Sequence, residues 1–469
     1  MTRVRGFLIG VVLAALGGCA LNPFGGRDRQ EANEIAGDSE QQVSRADETQ
    51  ERISVLALDE ELAPDGRFET VDLKTPPPYR NLAWPQQGGR ADHTLHHLEA
   101  RFALRRLWSR NLDTRSSAYA PLTSAPVVAD GRLFVSDPLA RVHAVDAETG
   151  DRLWLTALTP EFDQGPRWRF WRRAKPQQVG FGGGVAYEAG RVFTTSGFGF
   201  IAALDAETGD ELWRVELSGP ARTPPSVYQG VVFATTVTNE LVALDQADGR
   251  ELWSFQSFEE SARVLASGAP AASGDLVFAP FSSGEIIAFR VQNGRGVWDD
   301  TLSRSTQFTS LASLNDIAGA PVVDRGLVFA IGHGGRFAAI DVRSGRRAWE
   351  KTIAGVQQPW VAGRYVYVVS VDGELICMAR EDGAIAWISD LPRYEYEQKR
   401  TGRISWSGPV LAGDALLLTS SNGKLVQVAP EDGRIIGVRK LGDGVFVPPV
   451  VADGVVYVLA ENGRVTAFR

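Results

Sequence analysis

The chain has 469 residues, a formal net charge of −8, 44% hydrophobic residues and two cysteines, Cys19 and Cys377. An acidic balance of this kind speaks against nucleic acid, whose phosphates demand a surplus of lysine and arginine. Two cysteines so far apart exclude a disulfide framework and a cysteine-rich metal site.

The N-terminus opens with Met1-Thr-Arg3-Val-Arg5, a basic stretch, followed by an apolar run from Gly6 to Leu16. That run falls short of the roughly 18 residues a membrane span needs, but suits the core of an export signal. It ends in Leu16-Gly17-Gly18-Cys19, which resembles a bacterial lipobox: small residues for cleavage, then a cysteine to be acylated. The plainer alternative is an ordinary secretory signal with an incidental cysteine. The lipobox reading makes residues 1–18 a lipoprotein signal peptide and Cys19 the lipidation site. Each buried methylene of an acyl chain contributes about 0.8 kcal/mol, so several chains anchor stably. Ala20 rather than aspartate follows Cys19, which in similar lipoproteins implies the outer membrane, with the body facing the periplasm. Residues 19–78 are rich in Glu, Asp, Gln, Ser and Arg and read as an acidic flexible tether. One apolar island, Ile53-Ser-Val-Leu-Ala-Leu58, interrupts it, and Thr75-Pro-Pro-Pro78 stiffens its end.

Residues 79–469 carry a repeated phrase. It reads Ala144-Val-Asp146-Ala-Glu-Thr-Gly150-Asp-Arg-Leu-Trp154, then Ala203-Leu-Asp205-Ala-Glu-Thr-Gly209-Asp-Glu-Leu-Trp213, then Ala243-Leu-Asp245-Gln-Ala-Asp-Gly249-Arg-Glu-Leu-Trp253. Further copies end at Trp298, Trp349 and Trp387, and a seventh keeps Glu431-Asp-Gly433 without a tryptophan. Upstream of the phrase recurs an apolar strand and glycine turn, as in Ala125-Pro-Val-Val-Ala-Asp-Gly131. Strand-like repeats of about 40–50 residues predict a β-propeller with one four-stranded antiparallel blade per repeat. The Asp-to-Gly segment is hairpin chemistry, with the carboxylate bonding turn amides and glycine accepting positive φ. The tryptophan is expected to bury its ring between neighbouring blades, its N–H finding one partner. These residues are scaffold. The last repeat, from Pro448 to Phe468, supplies three strands, and Leu104-Arg-Arg-Leu107-Trp108 echoes the missing fourth. The expectation is an all-β, eight-bladed propeller closed by an N-terminal strand joining the C-terminal blade, which removes open sheet edges.

Catalytic constellations are thin. His93 and His97, with His96 between, have metal-ligand spacing but lack a glutamate and a third ligand, so a solvated loop is expected. His333, in Gly332-His-Gly-Gly335, reads as a turn residue. Gly180-Phe-Gly182-Gly-Gly184 precedes a strand rather than a helix and is no phosphate loop. Cys377 reads as a buried free thiol. Nothing pairs a nucleophile with a base.

The repeat is similar to that of the pyrroloquinoline-quinone propellers, a resemblance that would imply a quinone-dependent dehydrogenase. Those enzymes use calcium and a quinone, and many carry adjacent cysteines; this chain has neither adjacent cysteines nor a clear oxygen-ligand cluster. No catalytic residue, cofactor or metal is therefore expected. The lipobox, acidic tether, Trp84-Pro-Gln-Gln-Gly-Gly89 and eight repeats together resemble the BamB family, lipoprotein subunits of the outer-membrane β-barrel assembly machinery. The resemblance implies a non-catalytic scaffold that binds the periplasmic domains of the barrel insertase (BamA) and aids insertion of outer-membrane proteins, with unfolded outer-membrane proteins as further partners and the membrane reached through the N-terminal lipid. A periplasmic ligand-binding propeller is the remaining alternative. The family's contact motifs fall on Arg263, Val264 and Leu265, and on Asn315 and Asp316, with Ala318 where a second acid is usual and Leu265 where an arginine is usual. The alternative for Val264 and Leu265 is packing between blades. A loop unlike the family's, with Arg167, Trp168, Arg169, Trp171, Arg172 and Arg173, reads either as a patch for an acidic partner or anionic headgroups, or as an insertion tucked against its blade.

Overall fold

The computed structural model describes residues 62–114, 121–160, 180, 182–221, 223–258, 268–302 and 317–469. They belong to one compact unit, Leu58–Arg469. Among them stand eight four-stranded antiparallel sheets and one short hairpin, Tyr394–Tyr396 with Thr401–Arg403. Blade 1 consists of Val127–Ala129, Arg132–Ser136, Arg141–Asp146 and Arg152–Ala157, each strand bonded to the next. Blades 2 to 7 repeat this order, their first strands being Gly183–Glu188, Ser226–Tyr228, Ala271–Ser273, Val322–Asp324, Trp360–Ala362 and Trp406–Ala412. These first strands line the centre of the ring. In blade 8 Val450–Ala452, Val455–Leu459 and Arg464–Phe468 are followed in space by Arg106–Asn111, with Trp108 opposite Ala467 and Arg110 opposite Val465.

The inner strands are apolar on both faces because blades pack on both sides, whereas outermost strands such as Glu211–Glu216 alternate exposed and half-buried residues. Phe134, Phe193, Phe233, Phe278 and Phe329 occupy one position of successive second strands and are fully buried. The repeated phrase behaves as its chemistry requires. Asp146 Oδ1 accepts the amides of Glu148 and Thr149 at 2.9 and 2.8 Å. Gly150, at φ +74°, lies flat beneath Trp108, and a Cβ there would stand 2.6 Å from the indole. Seven seams share this stack. At each, the outer tryptophan of one blade covers the turn glycine of the next and donates its N–H to a nearby carbonyl, as Trp154 does to Ala206 and Trp298 to Val342, at 3.1 and 2.8 Å.

The seam between blades 7 and 8 is built differently, which explains the missing tryptophan. Blade 8 has no following turn glycine to cover, and Gly437 occupies the tryptophan position of Ile435–Lys440. The chain entering blade 8 lies there instead. Phe102 O accepts from Gln427 Nε2 and Ala103 O from Arg439 Nη2, both at 3.0 Å, and Leu104 is buried.

Two expectations need correction. Tethering to residue 78 is too long, because the chain from Leu62 onward already touches the ring. Asp65 N donates to Ile385 O at 2.8 Å, Arg67 forks onto Asp382 at 2.6 and 2.7 Å, and Leu73 is buried. The polar composition concealed a surface strap whose few apolar and charged residues all have partners. The histidine segment is not a solvated loop either: His93 and His97 are 1% and 5% exposed. They belong to a stretch that runs through the centre of the ring.

Candidate functional site

Residues 79–99 circle one mouth of the central channel and bond to all eight blades in turn. Asn81 O accepts from Asp453 N of blade 8 at 2.6 Å. Trp84 exchanges two backbone bonds with Val128 of blade 1, at 2.6 and 2.9 Å, and Pro85 O accepts from Tyr187 N of blade 2 at 2.6 Å. Gln86 Oε1 accepts from Val227 N of blade 3 at 2.9 Å, and Ala91 O from Ala272 N of blade 4 at 2.6 Å. Asp92 O then accepts from Val323 N of blade 5 at 2.8 Å, His96 O from the Trp360 indole of blade 6 at 2.7 Å, and Leu98 O from Gly413 N of blade 7 at 2.8 Å. Inner strands otherwise present unpaired backbone groups to the channel, so this segment supplies partners that buried amides and carbonyls need. It is a stopper.

Its side chains are satisfied in the same way. His93 Nδ1 faces Pro321 O at 2.7 Å and so carries the hydrogen, since a carbonyl only accepts. Nε2 is buried with no partner, and burial pushes the imidazole down to about 4. His97 is held between the carbonyls of Pro76, at 2.6 Å, and Gly413. Burial also holds His96 below its ordinary value, against the pull of Asp324 at 3.5 Å, which in turn receives Arg380 at 3.2 Å. His96 and Asp324 border a polar hollow of about 470 Å³ with Arg90 and Asp92. The signal for the stopper lay in the sequence as a run of amides, hydroxyls and histidines before the first repeat, carrying more hydrogen-bonding side chains than a loop in water requires.

Beyond the stopper the channel keeps a cavity of about 120 Å³, floored by Trp84, Gln87 and Trp360. Trp84 and Trp360 stack at 6.2 Å and 18°. The walls come from the residues that lead into the inner strands, including Ala125, Pro126, Pro224, Ala320, Pro409 and Pro448. The lining contains no carboxylate, and ligand pockets usually hold about 300–1,000 Å³. Among the described residues no three His, Cys, Asp or Glu side chains converge as a metal site. Cys377 is fully buried as a free thiol. His333 stands in a turn, and Gly183–Glu188 after Gly180 is a strand.

Cys19, Arg263, Val264, Leu265, Asn315, Asp316 and the loop residues Arg167, Trp168, Arg169, Trp171, Arg172 and Arg173 lie outside the described residues. Their described neighbours can be placed. Phe258, 78% exposed, ends blade 3, and Gly268 and Ala269 lead into blade 4. Leu302 and Ile317, both buried, flank the connection from blade 4 to blade 5, and Ala318 lines the cavity.

An eight-bladed ring of PQQ-like repeats, stoppered at one mouth, defines a propeller that presents loops on a rigid frame. The family model described as outer membrane protein assembly factor BamB matches residues 103–168, 161–389 and 394–469. The chain belongs to that family. It is 26% identical over 380 residues to outer membrane protein assembly factor BamB of Moranella endobia, covering 80% of this chain and 92% of the relative. The crystal structure of BamB from Moraxella catarrhalis superposes with a TM-score of 0.62 at 19% identity, over 78% of this chain and 99% of that one. Quinohemoprotein alcohol dehydrogenase from Comamonas testosteroni gives 0.61 at 15% identity, over 83% and 81%, a likeness of fold alone.

Proposed function

We propose that the chain is a non-catalytic scaffold of outer-membrane β-barrel assembly, holding the periplasmic domains of the barrel insertase and aiding insertion of its substrates. The observation that carries this reading is the family match along nearly the whole ring. The stopper supports it, because its bonds to all eight blades tie the ring into a frame that holds its loops in place. Cys19 carries the lipid that ties the protein to the outer membrane, with the propeller in the periplasm. The insertase is met by Arg263, Val264, Leu265, Asn315 and Asp316. The pairing of Arg106–Asn111 with Arg464–Phe468 is the latch that closes the ring.

Affinity purification from detergent-solubilised outer membranes tests the assignment, comparing wild type with the Leu265→Asp/Asp316→Arg double variant. The insertase is expected with wild type and not with the variant, while both keep the same thermal midpoint. Capture by both would keep the function and reject the surface. Capture by neither would reject the function.

A further inference from the structure

Charge is unevenly distributed around the outside of the ring. The outermost strands of blades 2, 3 and 4 carry Glu211, Glu216, Glu251, Asp299 and Asp300, opposed only by Arg214. Those of blades 7 and 8 carry Arg439, Lys440, Arg106 and Arg110 and no carboxylate. On a protein of net charge −8 this is a local reversal of sign. Arg106 and Lys440 form no ion pair among the described residues, nor do Arg101 and Arg105 beside them. Of the carboxylates at the edge of this wall, Asp432 is engaged by Arg434 and Asp453 by Arg80 and Arg469.

The same wall is apolar between its cations. Ile435, Ile436 and Val438 are 43%, 38% and 57% exposed, and Phe102 and Leu107 on the adjoining chain are 46% and 48% exposed. Leu153, Leu212 and Val297 stand exposed at the place of Ile436 in other blades, and Ile435 and Phe102 add to that here. Where other blades present a tryptophan to a neighbour's turn, blade 7 presents Gly437, and Phe102 crosses in front of it through the bond from Gln427. Large aliphatic groups set among unpaired arginine and lysine match the surface of a bilayer with anionic headgroups, where the apolar groups sink to the acyl boundary and the cations meet phosphates. An acidic protein would satisfy the charges but leave no reason for three adjacent aliphatic residues on one edge strand.

We propose that the outer wall of blades 7 and 8 rests on an anionic membrane surface. It rests on the lipoprotein reading in one respect only: a lipid on Cys19 would hold the protein at a membrane. The wall itself needs no acyl group to be tested.

The test uses residues 20–469, which include the whole compact unit, and sedimentation with vesicles of phosphatidylcholine alone or mixed with phosphatidylglycerol. Wild type is expected to bind the mixed vesicles, less so as salt rises, and to ignore the neutral ones. Each cation near such a surface changes the binding constant about fivefold. Arg106→Glu/Lys440→Glu should therefore lower the constant by at least about tenfold, and Ile436→Asp/Val438→Asp comparably, with circular dichroism unchanged. Equal binding to both vesicle types, or none, overturns the proposal. So does either double variant that folds and binds like wild type, which would move the contact elsewhere, for example to Arg172 and Arg173. Because no insertase is present, these outcomes are independent of the purification experiment.

Discussion

Repeat logic and the structure disagree about Gly437, and Gly437→Trp separates them. A consensus argument would restore the tryptophan that six other repeats carry and expect a more stable ring. The structure demands the opposite. A Cβ at 437 would stand 2.5 Å from Gln427 Oε1, so the side chain must displace Gln427 and break its 3.0 Å bond to Phe102 O. No turn glycine waits in blade 8 to receive the indole, because Arg464–Phe468 is bonded there to the entering strand. Overpacking costs about 1–3 kcal/mol, and the lost hydrogen bond about 1 kcal/mol more. The sum, about 2–4 kcal/mol, corresponds to a fall of about 2–5 °C in Tm for a ring of this size. Trp253→Ala, at an ordinary seam, should cost about 3–5 kcal/mol as a large buried ring is removed. Thermal and urea unfolding followed by far-ultraviolet circular dichroism would measure both. A midpoint that rises in Gly437→Trp would refute the account of the eighth seam.

Two further outcomes follow from buried groups. His93 titrates at about 4 in the fold against 6.5 in the unfolded chain, so its contribution is complete above 6.5 and is lost as the pH falls toward 4. The loss amounts to about 3 kcal/mol, and urea midpoints between neutral pH and pH about 4 should fall less steeply in His93→Gln; identical slopes would place the acid sensitivity elsewhere. Asp137 is shifted down as well, to about 2, because its burial, which pushes it up, is outweighed by the hydrogen bonds from His143 and Arg141; its contribution is complete above its ordinary 3.8 and is lost as the pH falls toward 2. Burial pushes the Cys377 thiol far up, so iodoacetamide should label it slowly in the native ring and quickly in urea. Native labelling as fast as that of a free thiol would contradict its place in the core.

The blades were legible because each repeat states its own turn. Asp146, Gly150 and Trp154 have roles that depend on neighbours a few residues or one blade away, and a fixed spacing displays them. The count of eight blades was legible for the same reason, since the last copy of the repeat, from Pro448 to Phe468, keeps the spacing of the others. The stopper was not. Residues 79–99 have no repeat to compare with, and each of their partners belongs to a different blade. His93 looked like a loop residue because its reason for burial, Pro321 O, lies 228 residues away. The strap from Leu62 to Pro78 was hidden by composition, because polar residues suit both a tether and a surface strip held by ion pairs such as Arg67 with Asp382. The surface at Leu265 and Asp316 rests on motif resemblance, and a motif carries the position of a contact without its partner.

Ring closure also has a history in time. Ser109 and Thr466, bonded at 3.0 Å across blade 8, are 357 residues apart. At ribosomal rates of about 5–20 residues per second, the first of them waits roughly 20–70 s for the second. Throughout that interval the stopper has no complete ring to seal and blade 8 has no second strand. Contacts of such separation are late by nature, and the open edges they leave are visible to chaperones and proteases. A chain interrupted before blade 8 therefore stays marked as unfinished, and only a complete copy can hide its edges and pass as a finished part.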